Sequence, residues 1–323
     1  MHPLELWQAA VLGLVEGITE YLPISSTGHL ILASQLMNLG TPEQQSAIAA
    51  FEIVIQGGAI LAVLGLYWGS VMRMLKGLVG KDPAGLRLLI NLVVAFIPAA
   101  VFGLLLEKKI EQYLFHAGPV LAALAVGGVY MIVIDLWREG RLFGPRKWSA
   151  VEMEVYDLSP RQALTIGLMQ CIAMWPGVSR SMMTITGGLI VGLRPRQAAQ
   201  FSFLLGLPTL GAATAYKLLK NMKQASEPGG HPNLFQELGT TACLVGIVVA
   251  AISAAAAVKW LVAFLNRHGL APFGWYRIAL CCVLLTLSSM GIVSITKPGK
   301  NPRHNATEVV PPIGDIQDEP KLT

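Results

Sequence analysis

The chain has 323 residues, of which 54% are hydrophobic and only 13% charged, and its mean hydropathy is +0.57. Soluble domains carry about 25% charged residues, so this composition argues against a cytosolic enzyme, a nucleic-acid-binding protein and a disordered protein. The formal net charge of +5 comes from residues between the apolar stretches, where basic residues report membrane topology.

The first apolar region, residues 4–39, is interrupted by the segment 23–29 (PISSTGH). Each arm is shorter than the roughly 20 apolar residues that a helix needs to cross a bilayer core of about 30 Å. A Pro/Gly break between two short apolar arms is typical of a re-entrant helical hairpin, which enters and leaves the membrane on one side. Three full-length apolar stretches follow, and we predict transmembrane helices at 48–68, 88–106 and 117–134.

The second half of the chain repeats this order. Residues 163–193 are interrupted at 176–181 (PGVSRS), and predicted spans follow at 197–216, 238–258 and 278–296. Residues 13–16 (GLVE) also match 167–170 (GLMQ) in the arm before each break. Because three spans separate the two hairpins, the second half enters the membrane upside down. The sequence therefore predicts an all-α integral membrane protein with an inverted-topology repeat, each half, about 1–145 and 155–296, holding one re-entrant helix hairpin and three transmembrane helices.

Residues 1–296 are predicted to form a single membrane domain, and the polar segment 297–323 is predicted to be a disordered tail. Basic residues are more frequent in the loops on the side away from the termini, and we place Arg277 among those loop residues. The positive-inside rule then puts both termini outside the cytoplasm.

Two acids in the first hairpin, Glu16 and Glu20, are four residues apart and share one helix face. Carboxylates in an apolar helix are energetically costly and mark functional sites. Two so close together need a metal ion or an arginine between them, or one of them stays protonated. A solvated carboxylate pair at the end of a helix is the alternative.

The break in the first hairpin carries Ser25, Ser26, Thr27 and His29. Proline and hydroxyl residues begin helices, and a helix N-terminus offers free N–H groups to a phosphate. Ser26 or His29 could be a nucleophile, with Glu20 as the base. Ordinary helix capping and a packed histidine are the alternatives when each residue is considered alone.

The second break places Arg180 inside an apolar hairpin, between Ser179 and Ser181 and close to Thr184. A guanidinium at membrane depth needs an anion, and its fork matches phosphate oxygens. An ion pair with Glu16 or Glu20 is the structural alternative, and it is compatible with phosphate binding.

Together these residues predict an oxyanion site for a substrate with a phosphate head and a lipid tail. Glu16 and Glu20 could also hold a divalent cation, Mg²⁺ or Ca²⁺. Residue types alone leave hydrolysis and transport open, because inverted repeats with broken helices also suit alternating access.

The motifs resemble those of the undecaprenyl-diphosphate phosphatase (bacitracin-resistance) family. Residues 16–30 (EGITEYLPISSTGHL) resemble its first signature and residues 176–184 (PGVSRSMMT) its second. Further similar segments are 51–62 (FEIVIQGGAILA), 201–205 (FSFLL) and 276–277 (YR). One departure is Met182, where the family usually has glycine.

The resemblance implies an enzyme of the bacterial inner membrane that hydrolyses undecaprenyl diphosphate to undecaprenyl phosphate and phosphate, on a site that faces outward. It implies recycling of the lipid carrier for cell-wall synthesis, bacitracin resistance through competition with the drug for the substrate, and dependence on a divalent metal.

The resemblance also implies roles for the matching residues. Glu16 and Glu20 would be the acidic pair, Ser26 the nucleophile, His29 an alternative nucleophile or acid, and Arg180 the phosphate clamp. Ser25, Thr27, Ser179, Ser181 and Thr184 would line the phosphate site. Whether the protein forms a homodimer stays open.

Overall fold

The computed structural model describes residues 4–37, 39, 42–142, 153–225 and 238–292, and these residues form eleven α-helices and no β-strand. The helices are α1 (Leu6–Thr19), α2 (Ser26–Leu36), α3 (Pro42–Leu66), α4 (Trp68–Leu78), α5 (Pro83–Tyr113), α6 (Ala117–Arg138), α7 (Pro160–Ile172), α8 (Arg180–Ile190), α9 (Pro195–Ala225), α10 (Thr240–His268) and α11 (Ala271–Ser289). The predicted all-α class is confirmed. The predicted tail at 297–323 lies outside the described residues.

Six helices are long and apolar enough to cross a membrane, as predicted: Ile48–Leu66, Pro83–Ile110, Ala117–Arg138, Pro195–Lys223, Thr240–His268 and Ala271–Ser289. Their outer surfaces carry large apolar side chains that no part of the described chain covers, such as Leu105, Val126 and Ile252. An apolar exterior of this extent is suited to lipid rather than to water. The chain is therefore a multi-pass membrane protein.

The last span differs from the prediction, because α11 begins at Ala271 and not at residue 278. Asp135 at the end of α6 accepts hydrogen bonds from the backbone N–H groups of Leu270 and Ala271, which secures the start of the helix. Arg277 consequently lies inside α11, where it is fully buried. Our assignment of Arg277 to a loop was wrong.

Four short helices form two pairs. Helices α1 and α2 have 14 and 11 residues, and α7 and α8 have 13 and 11. At about 1.5 Å per residue, each is shorter than a bilayer core of about 30 Å. Each pair is joined by a short turn, at 20–25 and at 173–179. These lengths favour the predicted hairpins.

Each hairpin packs on a long helix from the opposite half of the chain. Helix α1 packs on α10, where a Cβ at Gly13 would lie only 2.5 Å from the carbonyl oxygen of Gly246. Helix α7 packs on α5 in the same way, since a Cβ at Gly167 would lie 2.4 Å from the carbonyl oxygen of Ala95. Small residues allow such close approach of membrane helices. Because each hairpin packs against the opposite half, the turns of both hairpins lie in the middle of the bundle.

The largest apolar cluster surrounds the inner ends of the hairpins. Tyr21, in the first turn, is fully buried and packs edge-on against Phe203 of α9, with ring centroids 5.4 Å apart. Its hydroxyl donates a hydrogen bond of 2.9 Å to the carbonyl oxygen of Ala59 in α3. Buried aromatic packing and a satisfied hydroxyl hold the first turn against α3 and α9.

Candidate active site

The two turns share an unusual backbone conformation. Ser25 has φ 73° and Ser179 has φ 78°, and among the described residues these are the two non-glycine positions with positive φ. Each immediately precedes the first residue of a helix, α2 or α8. Such conformations are strained by about 1–3 kcal/mol and are concentrated at functional sites. Each serine precedes a helix N-terminus, whose first N–H groups have no partner within the helix and can bind an anion.

A hydrogen-bonded group connects the two turns. The carboxylate of Glu20, in the first turn, accepts a 2.9 Å hydrogen bond from Ser26 Oγ through Oε2. Its other oxygen, Oε1, accepts a 3.0 Å hydrogen bond from Nη2 of Arg180 in the second hairpin. The three residues that the sequence predicts to act together are thus in direct contact.

Arg180 is held on several sides and keeps one donor free. Its Nη1 donates a 3.0 Å hydrogen bond to the carbonyl oxygen of Ser202 in α9, and its Cζ lies 5.4 Å from the ring centroid of Tyr21. The Nε atom is buried and has no hydrogen-bond partner among the described residues. Because a buried donor without a partner is energetically costly, this N–H is well suited to a substrate oxygen.

The hydroxyls of α8 are bonded to protein atoms. Ser181 Oγ donates a 2.9 Å hydrogen bond to the carbonyl oxygen of Leu22 in the first turn. Thr184 Oγ1 lies 2.6 Å from Ser202 Oγ, within hydrogen-bonding distance. Ser181 and Thr184 are fully buried, and Ser179 caps α8 by accepting from the backbone N–H of residue 182. The geometry favours a bracing role for these three, and phosphate binding by them stays a prediction.

Met182 lies in α8, is buried, and has a backbone φ that is not positive. The residue replaces a glycine that the resemblance leads us to expect, but the backbone here needs no glycine for its conformation.

His29 contacts the first turn and the last span. Its Nδ1 lies 2.7 Å from the carbonyl oxygen of Ser25, and its Nε2 lies 2.7 Å from the hydroxyl of Tyr276. The two rings are stacked, with centroids 5.6 Å apart. Since a carbonyl only accepts hydrogen bonds, Nδ1 must carry a proton, so in neutral His29 the Nε2 atom accepts from Tyr276.

Two polar groups near the first turn remain open to a ligand. Glu16 is buried, yet no hydrogen bond reaches its carboxylate from any described residue. Thr27, near the N-terminus of α2, is partly exposed, and its side chain makes no hydrogen bond with the described part of the chain. Helix α2 also lacks a side-chain cap, so its N-terminal N–H groups are open as well. These groups fit an anion accompanied by a cation.

Known proteins resemble this chain over the whole region that contains the site. The family described as "Bacitracin resistance protein BacA" matches residues 9–283, which include both turns and α11 as far as residue 283. The chain belongs to the BacA family. A protein of Sorangium cellulosum named undecaprenyl-diphosphatase is 44% identical over 281 residues, which is 87% of this chain and 86% of that protein.

Other relatives of this BacA-family chain are similar over nearly their whole length. Undecaprenyl-diphosphatase 2 of Rhodospirillum rubrum is 45% identical, covering 90% of this chain and 97% of the relative. Undecaprenyl-diphosphatase of Clostridium tetani is 37% identical, covering 89% and 98%.

Sequence reasoning gave no role in the site to three residues that it noted within similar segments: Ser202, Tyr276 and Arg277. Ser202 was noted only within a similar segment, although its carbonyl oxygen receives Arg180. Tyr276 holds the imidazole of His29, and Arg277 contacts the backbone of both turns. A usable signal existed for Arg277, since an arginine directly before the predicted start of an apolar span can equally lie inside a longer helix.

Proposed function

We propose that this chain hydrolyses undecaprenyl diphosphate to undecaprenyl phosphate and inorganic phosphate. The observation that carries the proposal is the single carboxylate of Glu20, bonded at one oxygen to Ser26 and at the other to Arg180. A hydroxyl beside a base and a guanidinium with a free donor are the parts that phosphoryl transfer needs. The names of the similar proteins point to the same substrate.

The proposed reaction begins at Ser26. Its hydroxyl gives its proton to Glu20 while Oγ forms a bond to the terminal phosphorus, and the bond from that phosphorus to the bridging oxygen breaks. Undecaprenyl phosphate leaves with the electron pair of that bond. Glu20 passes the proton it has taken to the departing undecaprenyl phosphate and becomes a carboxylate again. It then deprotonates a water molecule, whose oxygen attacks the phosphorus of the phosphoserine. The bond from that phosphorus to Oγ breaks, phosphate leaves, and Oγ recovers a proton from Glu20. His29 is the alternative nucleophile through Nε2.

Arg180 would supply the charge that this reaction needs. As phosphoryl transfer proceeds, negative charge spreads over the oxygens of the transferred group, and donors fixed in place stabilise it. The free Nε of Arg180 and the open N–H groups of α2 are such donors. Because Glu20 also bonds Arg180, the base and the phosphate clamp keep a constant separation.

A divalent cation, Mg²⁺ or Ca²⁺, fits the donor set. Glu16 offers a buried carboxylate without a hydrogen-bond partner among the described residues, and Glu20 lies one helical turn away. No group of three or more metal-binding side chains occurs in the part of the chain that the structure describes. Mg²⁺ is commonly held by one or two carboxylates together with substrate phosphates, so Glu16 and Glu20 would suffice. The bound cation would neutralise charge on the diphosphate.

Removal of divalent cations with a chelator is expected to lower phosphate release by at least about tenfold. Glu16→Gln should raise the Mg²⁺ concentration that gives half-maximal activity by about tenfold, because one charged ligand is lost. The matched control is Glu154→Gln, at an exposed position between α6 and α7. Chelator-resistant activity, or an unchanged Mg²⁺ dependence in Glu16→Gln, would reject the metal assignment.

The proposed setting is the bacterial inner membrane, with the site open to the outer side and the two halves related as an inverted repeat. The exchange of hairpins supports the repeat, since α1 packs on α10 and α7 on α5. The matching φ values of Ser25 and Ser179 support it as well. An outward site would recycle the lipid carrier of cell-wall synthesis and remove the diphosphate that bacitracin binds.

Phosphate release by the purified protein tests the proposal. In detergent, with no gradient, the protein should release orthophosphate from a C55 diphosphate. Binding of the lipid without phosphate release would instead identify a transporter, the second function that broken helices can serve. That result would overturn the hydrolase proposal.

A further inference from the structure

Arg277 lies at the centre of the bundle, where its fully buried guanidinium donates to five backbone carbonyl groups and to no side chain of the described residues. The five acceptors belong to three parts of the fold: α6, the first turn and the second turn. They are the carbonyl oxygens of Ala123 (2.9 Å), Leu124 (3.3 Å), Pro23 (3.4 Å), Gly177 (2.7 Å) and Val178 (2.9 Å).

This arrangement is unusual for a buried charge. None of the described acidic residues forms an ion pair with Arg277. Removing a charge from water is costly, and carbonyl dipoles repay part of the cost only if their geometry is good. An aliphatic residue at this position would leave the carbonyl groups of Gly177 and Val178 without this donor, so Arg277 links the conformation of the second turn to α11.

The carbonyl contacts orient the peptide groups of both turns. In a trans peptide the C=O and the following N–H point in opposite directions. Because the carbonyl of Val178 points at Arg277, the N–H of Ser179 points away from it. The carbonyl oxygen of Pro23, two residues before Ser25, also accepts a hydrogen bond from Arg277. Arg277 therefore contacts both turns just before their strained serines.

We propose that Arg277 is a positioning residue that fixes the two turns relative to each other, so that Ser26 and Arg180 meet the same phosphate. This role rests on the proposed phosphatase function. One side chain bonded to both hairpins holds them at a constant separation, and phosphoryl transfer is sensitive to misplacement of its groups by about 1 Å.

Gly127 of α6 makes room for this side chain. A Cβ at Gly127 would lie 2.5 Å from Nη2 of Arg277 and 3.2 Å from Cε of Met182. Gly127→Ala therefore displaces the guanidinium without removing its charge. Gly118, on the same helix, provides the matched control, because a Cβ added there would meet no described atom within 4 Å.

The test measures kcat, KM, thermal stability and inhibition by orthovanadate for Arg277→Lys, Gly127→Ala and Gly118→Ala in detergent. Lysine keeps the charge but carries its three donors on one nitrogen, so it cannot reproduce the five hydrogen bonds that the three guanidinium nitrogens make. We expect kcat to fall about 100-fold in Arg277→Lys and at least about tenfold in Gly127→Ala. The vanadate inhibition constant should rise about tenfold in both, while Gly118→Ala behaves as wild type.

A purely structural role predicts a different pattern. It would lower the melting temperature but leave kcat per folded molecule and the vanadate inhibition constant within about twofold of wild type, and that result overturns the proposal. If Arg277→Lys does not fold, Gly127→Ala alone decides by the same criteria. If the wild-type protein releases no phosphate, the hydrolase proposal fails, and vanadate binding measured by calorimetry on the same variants still tests the positioning role.

Discussion

Arg180→Ala is expected to lower kcat/KM for a C55 diphosphate by about 10³-fold, which corresponds to about 4 kcal/mol of transition-state stabilisation. The mutation removes the free Nε donor and also the cation that binds Glu20. Its effect should therefore exceed the loss of one neutral donor. Phosphate release by the purified variant in detergent measures it.

Two further variants control this result. Arg180→Lys keeps the charge but loses the fork, and it should recover only a small part of the activity. Arg161→Ala removes an exposed arginine from α7 of the same hairpin and should retain full activity. An Arg180→Ala protein with a wild-type melting temperature and more than a tenth of the wild-type kcat/KM would contradict the proposed clamp.

Ser26→Ala is expected to reduce phosphate release by about 10³-fold or more, because it removes the nucleophilic oxygen that Glu20 is placed to deprotonate. The matched control is Ser34→Ala on the same helix, whose hydroxyl donates only to the carbonyl oxygen of Leu30. Acid quenching during turnover should trap phosphoserine at residue 26 in the wild-type protein.

His29→Ala separates the two candidate nucleophiles. If Ser26 attacks, loss of the imidazole removes only the brace between Ser25 and Tyr276, and activity should fall by about tenfold. An acid-labile phosphohistidine, together with an inactive His29→Ala and an active Ser26→Ala, would reverse the assignment.

Much of the fold could be predicted because membrane spans obey simple length and composition rules. Six apolar stretches gave six helices, and the two Pro/Gly breaks fell between pairs of short helices. The start of the last span was missed because Arg277 looks like a loop charge in the sequence. Its acceptors are backbone carbonyls from distant segments, and no sequence pattern marks backbone acceptors.

The residues at the centre of the site could be predicted, but the hydrogen bonds that hold the surrounding side chains could not. Residue types identified Glu20, Ser26 and Arg180, since charges and paired motifs in apolar segments are rare. The same reasoning predicts that Ser181 and Thr184 line the phosphate site, but it does not show the hydrogen bonds that join their hydroxyls to Leu22 and Ser202. A hydroxyl's partner depends on tertiary packing, which composition and spacing do not determine.

The central claim is that both hairpin turns bind one diphosphate. An experimental structure with a methylene-bridged diphosphonate analogue of the lipid tests it most directly. We expect a phosphonate group within hydrogen-bonding distance of Arg180 Nε and of the N-terminal amides of α2, with Ser26 Oγ facing the terminal phosphorus. A diphosphonate bound to only one turn, or bound elsewhere with Glu20 still joining Ser26 and Arg180, would contradict the account.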